Sequence, residues 1–232
     1  MLDQFSRTEL IIGKEGIKKL KESKVIIFGI GGVGSYTAEA LTRVGIGHLI
    51  LVDPDKVELT NINRQIQATH KTIGRYKVDV MKERILDINP KIKIEIYKPN
   101  EIEGGEVNLI DNTITYVVDA IDTMKNKLEL IKKANEENVK IISGTGAGNK
   151  LDATRFEVAD IYKTSVCPVC KILRKELKKI GIKHLKVVYS KENPIKPQYN
   201  EEYTQKTLGS ISFVPSVVGL IIAGEVIKNI II

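Results

Sequence analysis

Residues 25–53 read VIIFGIGGVGSYTAEALTRVGIGHLILVD, and this stretch decides the fold. Val25-Ile26-Ile27-Phe28 is a continuous apolar run bounded by glycine, as expected of a strand buried on both faces of a parallel sheet. Gly29-Ile30-Gly31-Gly32-Val33-Gly34 follows at once, a turn whose bare backbone can approach a phosphate. Residues 33–44 have helical spacing, and residues 48–52 form a second apolar strand that ends on Asp53. Together they predict a βαβ unit. Amides at the helix start attract anions, and Asp53 stands where a carboxylate bonds ribose hydroxyls. An adenosine nucleotide is therefore expected at the carboxyl edge of the sheet, and a dinucleotide is the first reading of such a turn.

Working outward, residues 4–23 read as two short helices broken at Gly13. Downstream, Val80, Ile85 and Ile88 mark a helix over 76–89 that Pro90 ends, and residues 92–97 alternate as a third strand. A fourth strand is expected over 116–119, a helix over 124–138, and a fifth strand over 140–143 running into Gly144-Thr145-Gly146-Ala147-Gly148. Strands alternating with helices predict an α/β fold, with a doubly wound, mostly parallel, Rossmann-like sheet. Past Leu151 the pattern changes. Strands are expected over 155–158 and 186–189 with a basic helix between them, then a polar loop over 190–210 of a length usually reserved for function. Residues 1–150 thus read as a nucleotide-binding core, and 151–232 as a substrate and dimer extension of the same single domain.

Over 232 residues, 42% apolar and 28% charged is an ordinary globular composition that excludes disorder, collagen-like repeats and a coiled coil. Two cysteines are too few for a disulfide-stapled secreted scaffold, and no signal-like segment opens the chain, so a cytoplasmic protein is expected. The apolar stretch 211–232 is interrupted by Pro215, Glu225 and Lys228, leaving a run below the ~20 residues that span a bilayer. A buried helix, with no membrane contact, is the reading adopted. Net charge is +7, and much of it is local. Within 171–196, nine cations (Lys171, Arg174, Lys175, Lys178, Lys179, Lys183, Lys186, Lys191 and Lys196) stand against Glu176 and Glu192, a footprint for an RNA backbone.

A triphosphate carries more anionic oxygen than a pyrophosphate bridge, so its site needs cations. Asn61-Ile62-Asn63-Arg64-Gln65 follows the second strand, and Gly74-Arg75-Tyr76-Lys77 opens the next helix. Arg64 offers a planar fork and Lys77 a point charge. Asp119 and Asp122, three apart at the end of the fourth strand, offer oxygens for Mg²⁺.

These residues resemble a known family. GIGGVGS, VDPDKVELTNINRQ, GRYK and VVDAIDT are similar, in order and spacing, to the adenylate-forming enzymes related to the ubiquitin-activating (E1-like) enzymes. GAGNKLDATRFEVADI, KVVYS and GSISFVPSVVGLIIAGEVIKNI extend the resemblance over nearly the whole chain, to the tRNA threonylcarbamoyladenosine dehydratase branch. The resemblance implies ATP and Mg²⁺ as cofactors. It places Gly29, Gly31, Gly32, Gly34, Asp53 and Lys77 at ATP, Asn61, Arg64 and Gln65 around the phosphates, and Asp122 on Mg²⁺. It also implies a homodimer in which Arg7 reaches the partner's active site, and tRNA carrying a modified adenosine beside the anticodon as substrate.

Adenylation turns a carboxylate into an electrophile with a good leaving group. Attack on the ATP α-phosphate gives an acyl-adenylate and pyrophosphate, and the dehydratase reading then closes a ring through the substrate's own ureido oxygen, releasing AMP. The alternative within the superfamily activates the C-terminal glycine of a ubiquitin-like sulfur carrier. Against it, zinc in such enzymes is held by two CxxC pairs, whereas Cys167-Pro168-Val169-Cys170 is half of a tetrahedral site. A sulfur-relay partner remains open, as do incidental, redox or shared-metal roles for the cysteines. An NAD oxidoreductase and a nucleotide-dependent binding module are the remaining readings from other classes. His48, His70 and His184 have no ligand spacing and are read as structural or surface residues.

Overall fold

The computed structural model describes residues 2–98, 105–198 and 207–232. Seven strands form one sheet in the order β3-β2-β1-β4-β5-β7-β6. The strands are β1 (Lys24–Phe28), β2 (His48–Val52), β3 (Lys93–Tyr97), β4 (Tyr116–Asp119), β5 (Ile141–Gly144), β6 (Phe156–Asp160) and β7 (Lys186–Ser190). All neighbours are parallel except β6, which runs antiparallel to β7 at one edge. β1 and β4 lie side by side in the middle, and Val25 to Phe28 and Tyr116 to Val118 are buried apolar or aromatic residues because both faces of these strands are covered.

One face of the sheet carries α1 (Ser6–Glu22), α2 (Gly34–Val44), α3 (Lys77–Ile88) and α6 (Phe213–Ile231), which share a core with Val25, Ile27, Leu49, Leu51 and Val118. The other carries α4 (Met124–Glu136), over Ile26, Phe28 and Val117, and α5 (Pro168–Lys179), over Val187 and Tyr189. Alternate strand residues therefore feed alternate cores, as the two-residue period requires. Gly13 breaks α1 with φ 70, where the sequence placed a break.

α6 corrects the reading of Pro215 as an interruption. Pro215 sits in the first helical turn, where an absent N–H costs nothing, and the helix runs on unbroken for 19 residues. By length and composition it could cross a membrane, with a mean hydropathy of 1.7. Here Val214, Val218, Ile222 and Val226 are buried, and Thr37 Oγ1 of α2 donates to Gly219 O at 3.0 Å, fixing α6 against α2. Part of the expected loop 190–210, residues 199–206, lies outside the described residues.

The chain leaves β3 on one side of β1 and crosses to β4 on the other, so the strand order reverses between β1 and β4. Loops leaving the carboxyl ends of these two strands diverge to opposite faces and open a crevice, the usual ligand site of a doubly wound sheet.

Candidate active site

The crevice is a cleft of about 490 Å³. Its floor is the glycine turn between β1 and α2, and the four glycines do different work. Gly29 has φ +87, and a Cβ there would lie 2.7 Å from Ala120 O; at Gly34 a Cβ would overlap Gly29 O at 1.8 Å. These two allow the strand to turn into the helix. Gly31 faces the cleft with only Gln65 Nε2 near, at 3.9 Å, and Gly32 lies against Pro215 and Arg64. The start of α2 has no side-chain cap; Ser35 N donates to Gly31 O at 3.1 Å, and the helix end presents its positive dipole to the cleft with no side chain bound to it.

Asp53, at the end of β2, accepts from Ile30 N at 2.6 Å and from Asp55 N at 2.8 Å. Its carboxylate thus braces the glycine turn as well as facing the cleft. Burial pushes its pKa up, and Lys77 with the two amides offsets that only in part. Lys77 Nζ is 3.8 Å from Asp53 Oδ1 and 2.7 Å from Asp55 Oδ2. Asp55, in the same VDPD stretch, was not singled out from sequence.

Opposite stands the short 3₁₀ turn Leu59–Asn61 and the residues after it. Asn61 Oδ1 accepts from Glu58 N at 3.1 Å, which orients the turn. Arg64 Nη1 donates to Thr60 O at 2.9 Å and Asn63 Oδ1 at 2.8 Å, leaving other guanidinium donors for the cleft; burial pulls its pKa down. Gln67 Nε2 donates to Ile30 O at 2.7 Å and to Gln65 Oε1 at 3.3 Å, so a pair of amides stitches this segment to the glycine turn. Gly29, Gly31, Gly32, Asp53, Asn61, Arg64, Gln65, Lys77 and Asp122 all line this one cleft.

Asp119 does not. It is fully buried, with Oδ2 2.6 Å from Lys127 Nζ and Oδ1 accepting from Ile121 N at 3.2 Å. An aspartate already committed to a buried cation cannot also serve Mg²⁺, which corrects the sequence reading. Lys127, one turn into α4, also donates to Gly144 O at 3.2 Å and so ties β4 to β5 beneath the cleft. Its buried position could have been read from the apolar spacing of α4, where Lys127 falls in phase with Leu130, Ile131 and Ala134. Asp122 is exposed at the rim, with Oδ1 3.3 Å from Thr123 Oγ1.

The remaining wall comes from two later segments, Ala147 and Gly148 after β5, and Leu208, Gly209, Ser210 and Pro215 before and at the start of α6. Sequence reasoning assigned none of them to the nucleotide. Asn63 Nδ2 donates to Ser210 O at 3.0 Å, joining the two walls. Arg7 is exposed on α1 and does not line its own chain's cleft. His48 Nε2 is 2.9 Å from Glu95 Oε1, and burial chiefly lowers its pKa; His184 is exposed. Among the described residues, no three or more His, Cys, Asp or Glu side chains are grouped to hold a metal.

Of the nine cations in 171–196, several are engaged. Arg174 donates to Thr164 O at 3.0 Å, Lys179 pairs with Glu176, Lys186 with Glu225 and Lys191 with Glu157. Lys171, Lys175 and Lys178 are exposed along one side of α5, opposite buried Cys170, Leu173 and Leu177.

A doubly wound sheet with a glycine turn, a strand-ending aspartate and paired cations at its switch point defines a nucleotide-binding α/β protein. The ThiF family model matches residues 5–231, and the chain belongs to the ThiF family. It is 45% identical to the tRNA threonylcarbamoyladenosine dehydratase of Bacillus subtilis, over 99% of this chain and 95% of that one. The Escherichia coli dehydratase is 35% identical over 75% of this chain and 65% of its own. A crystal structure of that E. coli enzyme with AMP superposes with a TM-score of 0.89 at 31% identity, covering 98% of this chain and 93% of the other. The same enzyme with ATP gives a TM-score of 0.88 at 30% identity and the same coverage.

Proposed function

We propose that this chain is a cytoplasmic ATP-dependent adenylating enzyme that cyclises N6-threonylcarbamoyladenosine in tRNA with loss of water. The observation that carries this reading is 45% identity to a dehydratase along essentially the whole of both chains, including the extension that supplies the second wall of the cleft. ATP lies with its phosphates over Gly31 and Gly32 and its ribose toward Asp53. Arg64 and Lys77 face the phosphates, as a planar fork and a point charge. The substrate carboxylate attacks the α-phosphate, forming the mixed anhydride and expelling pyrophosphate. No side-chain nucleophile is required, because positioning and fixed charge lower this barrier. An atom of the substrate's own ureido group then attacks the activated carbonyl, loses its proton and releases AMP.

The donor set at the rim suits Mg²⁺ held mainly by phosphate and water. Asp122 is one exposed carboxylate lining the same cleft as Arg64 and Lys77, and Mg²⁺ typically takes one or two carboxylates alongside nucleotide phosphates. Bound there, the ion would neutralise charge on the departing pyrophosphate.

Arg7, which is remote from its own cleft, serves the partner's site in a homodimer. Leu10 and Ile11, on the same helix and 87% and 86% exposed, supply apolar surface for that contact. The tRNA backbone lies along Lys171, Lys175 and Lys178.

The test is incubation with ATP, Mg²⁺ and threonylcarbamoyl-modified tRNA, followed by nucleoside mass measurement. Loss of one water with AMP release supports the reading. AMP release that requires a small protein ending in Gly-Gly, with the tRNA unchanged, overturns it.

A further inference from the structure

Cys167 and Cys170 take no part in the reaction above, yet they are placed as a reactive pair. Cys167 is the N-cap of α5 and Pro168 its first helical residue, so the two cysteines bracket the opening turn, where helix amides favour a thiolate. A hydrogen bond from Cys170, aided by the Cys170 and Val169 amides, holds Cys167 below the ordinary thiol value despite its burial. The same hydrogen bond, together with burial, pushes Cys170 up.

Both sulfurs lean on a single loop. Thr145 Oγ1 is 3.2 Å from Cys170 Sγ. Gly146, at φ +64, passes so close that a Cβ would lie 2.8 Å from Cys167 Sγ. The next two residues, Ala147 and Gly148, are wall of the nucleotide cleft. Asn149 then grips another wall residue twice: Asn149 N donates to Gly209 O at 2.8 Å, and Gly209 N to Asn149 Oδ1 at 2.7 Å. On its outer side the pair is flanked in sequence by Val166, an exposed β-branched residue at φ 61. Such a backbone is strained, and strain of this kind gathers at segments that switch.

We propose that Cys167 and Cys170 form a reversible dithiol–disulfide site, oxidised by a low-molecular-weight disulfide, whose closure loosens the 145–149 wall and weakens nucleotide binding. The Cys167 thiolate attacks one sulfur of the small disulfide, forming a mixed disulfide and expelling one thiolate. Cys170 then loses its proton to that thiolate and attacks Cys167 Sγ, expelling the second. Two protein thiols are oxidised by two electrons, and one small disulfide is reduced to two thiols. Closure draws the two sulfurs to bonding distance, taking Cys170 Sγ from its contact with Thr145 Oγ1 and Cys167 Sγ from its place against Gly146, so the loop keeps Val188 O as the partner of Thr145 and loses its support from the sulfurs. Both cysteines are buried in the closed protein, so exchange requires the loop or the Val166 segment to open. Nucleotide resting on Ala147 and Gly148 opposes that opening. Linkage makes the effect reciprocal: whatever factor oxidation takes from ATP affinity, ATP takes from the oxidation equilibrium.

This inference rests on the cleft being the nucleotide site, and the experiment separates the two. The full-length protein is equilibrated across ratios of oxidised and reduced glutathione, acid-quenched and weighed, and ATP binding is measured at both extremes. A reversible species lighter by two hydrogens is expected, and with only two cysteines in the chain its location is unambiguous. Its ATP dissociation constant is expected to rise about fivefold or more, and saturating ATP to shift the redox midpoint toward the dithiol by the same factor. Cys170→Ser is expected to stop at the glutathione adduct. Failure to form the lighter species at any ratio, or its formation with unchanged ATP affinity, overturns the inference. A reduced protein that binds no ATP at all overturns the nucleotide reading and the coupling with it.

Discussion

Gly34 and Gly31 look equivalent in GIGGVG, but the space around them is not. A methyl at Gly34 would overlap a backbone carbonyl that cannot move aside, whereas at Gly31 it would project into the cleft. Gly34→Ala is therefore expected to cost about 3 kcal/mol or more, and Gly31→Ala to leave stability within about 0.5 kcal/mol while weakening ATP binding. Denaturant unfolding and nucleotide titration of both variants check this, and equal stabilities would contradict it. Asp119 and Lys127 allow a similar separation. Lys127→Met strands a dry carboxylate and is expected to cost about 3–5 kcal/mol, while Asp119→Leu with Lys127→Met restores most of that by removing both charges. At this scale the sequence was informative about which residue types the chemistry needs. It was uninformative about which of two aspartates faces solvent, because Asp119 and Asp122 differ only in where the strand stops and the loop begins.

Among the elements, α2 and α3 are clamped by one carboxylate. Glu39 on α2 accepts from Arg84 on α3 at 2.7 and 3.0 Å and from Arg43 at 2.7 Å. Burial pushes Glu39 up, but the bonds from Arg84 and Arg43 outweigh it and hold its pKa below the ordinary value. A depressed folded pKa means the clamp is at full strength above the ordinary glutamate range and is lost as pH falls through the folded value. Glu39→Gln is expected to cost about 2 kcal/mol near neutral pH. That gap should narrow as pH falls below the ordinary glutamate range and the wild type also loses its charge; a gap independent of pH would refute the assignment. On α5, reversal of Lys171 and Lys175 to Glu is expected to weaken tRNA binding and to lower the salt slope by about one per reversed lysine. An unchanged slope would dismiss the footprint. Helices and strands of the core were legible because hydrophobic period and glycine punctuation agree there. The helix of the apolar stretch 211–232 was legible too, but not its uninterrupted apolar length, since a proline in a first turn and a proline that ends an apolar segment look alike in one dimension.

For the whole molecule, strand order turns a linear motif into a place. β7 inserts beside β5, and β6 folds back antiparallel outside it, which brings the extension onto the same sheet. That arrangement rests on pairings between residues distant in sequence, so no local pattern announced that Leu208 to Ser210 would face Gly31. The glycine turn, Asp53, Arg64 and Lys77 were legible as one site because they cluster behind consecutive strands. If Arg7 serves the neighbouring subunit, mixing inactive Arg7→Ala with inactive Asp122→Asn is expected to restore turnover, since each hybrid dimer holds one intact site. Mixtures as inactive as their parents would place Arg7 outside the catalytic machinery.

The two walls joined by Asn63 and Ser210 also carry a consequence for biosynthesis. A growing polypeptide leaving the ribosome acquires its phosphate-binding turn first and the opposing segment, Leu208 to Pro215, long after it. Until α6 docks and brings Pro215 and the segment before it into place, the turn stands before an open, half-built pocket.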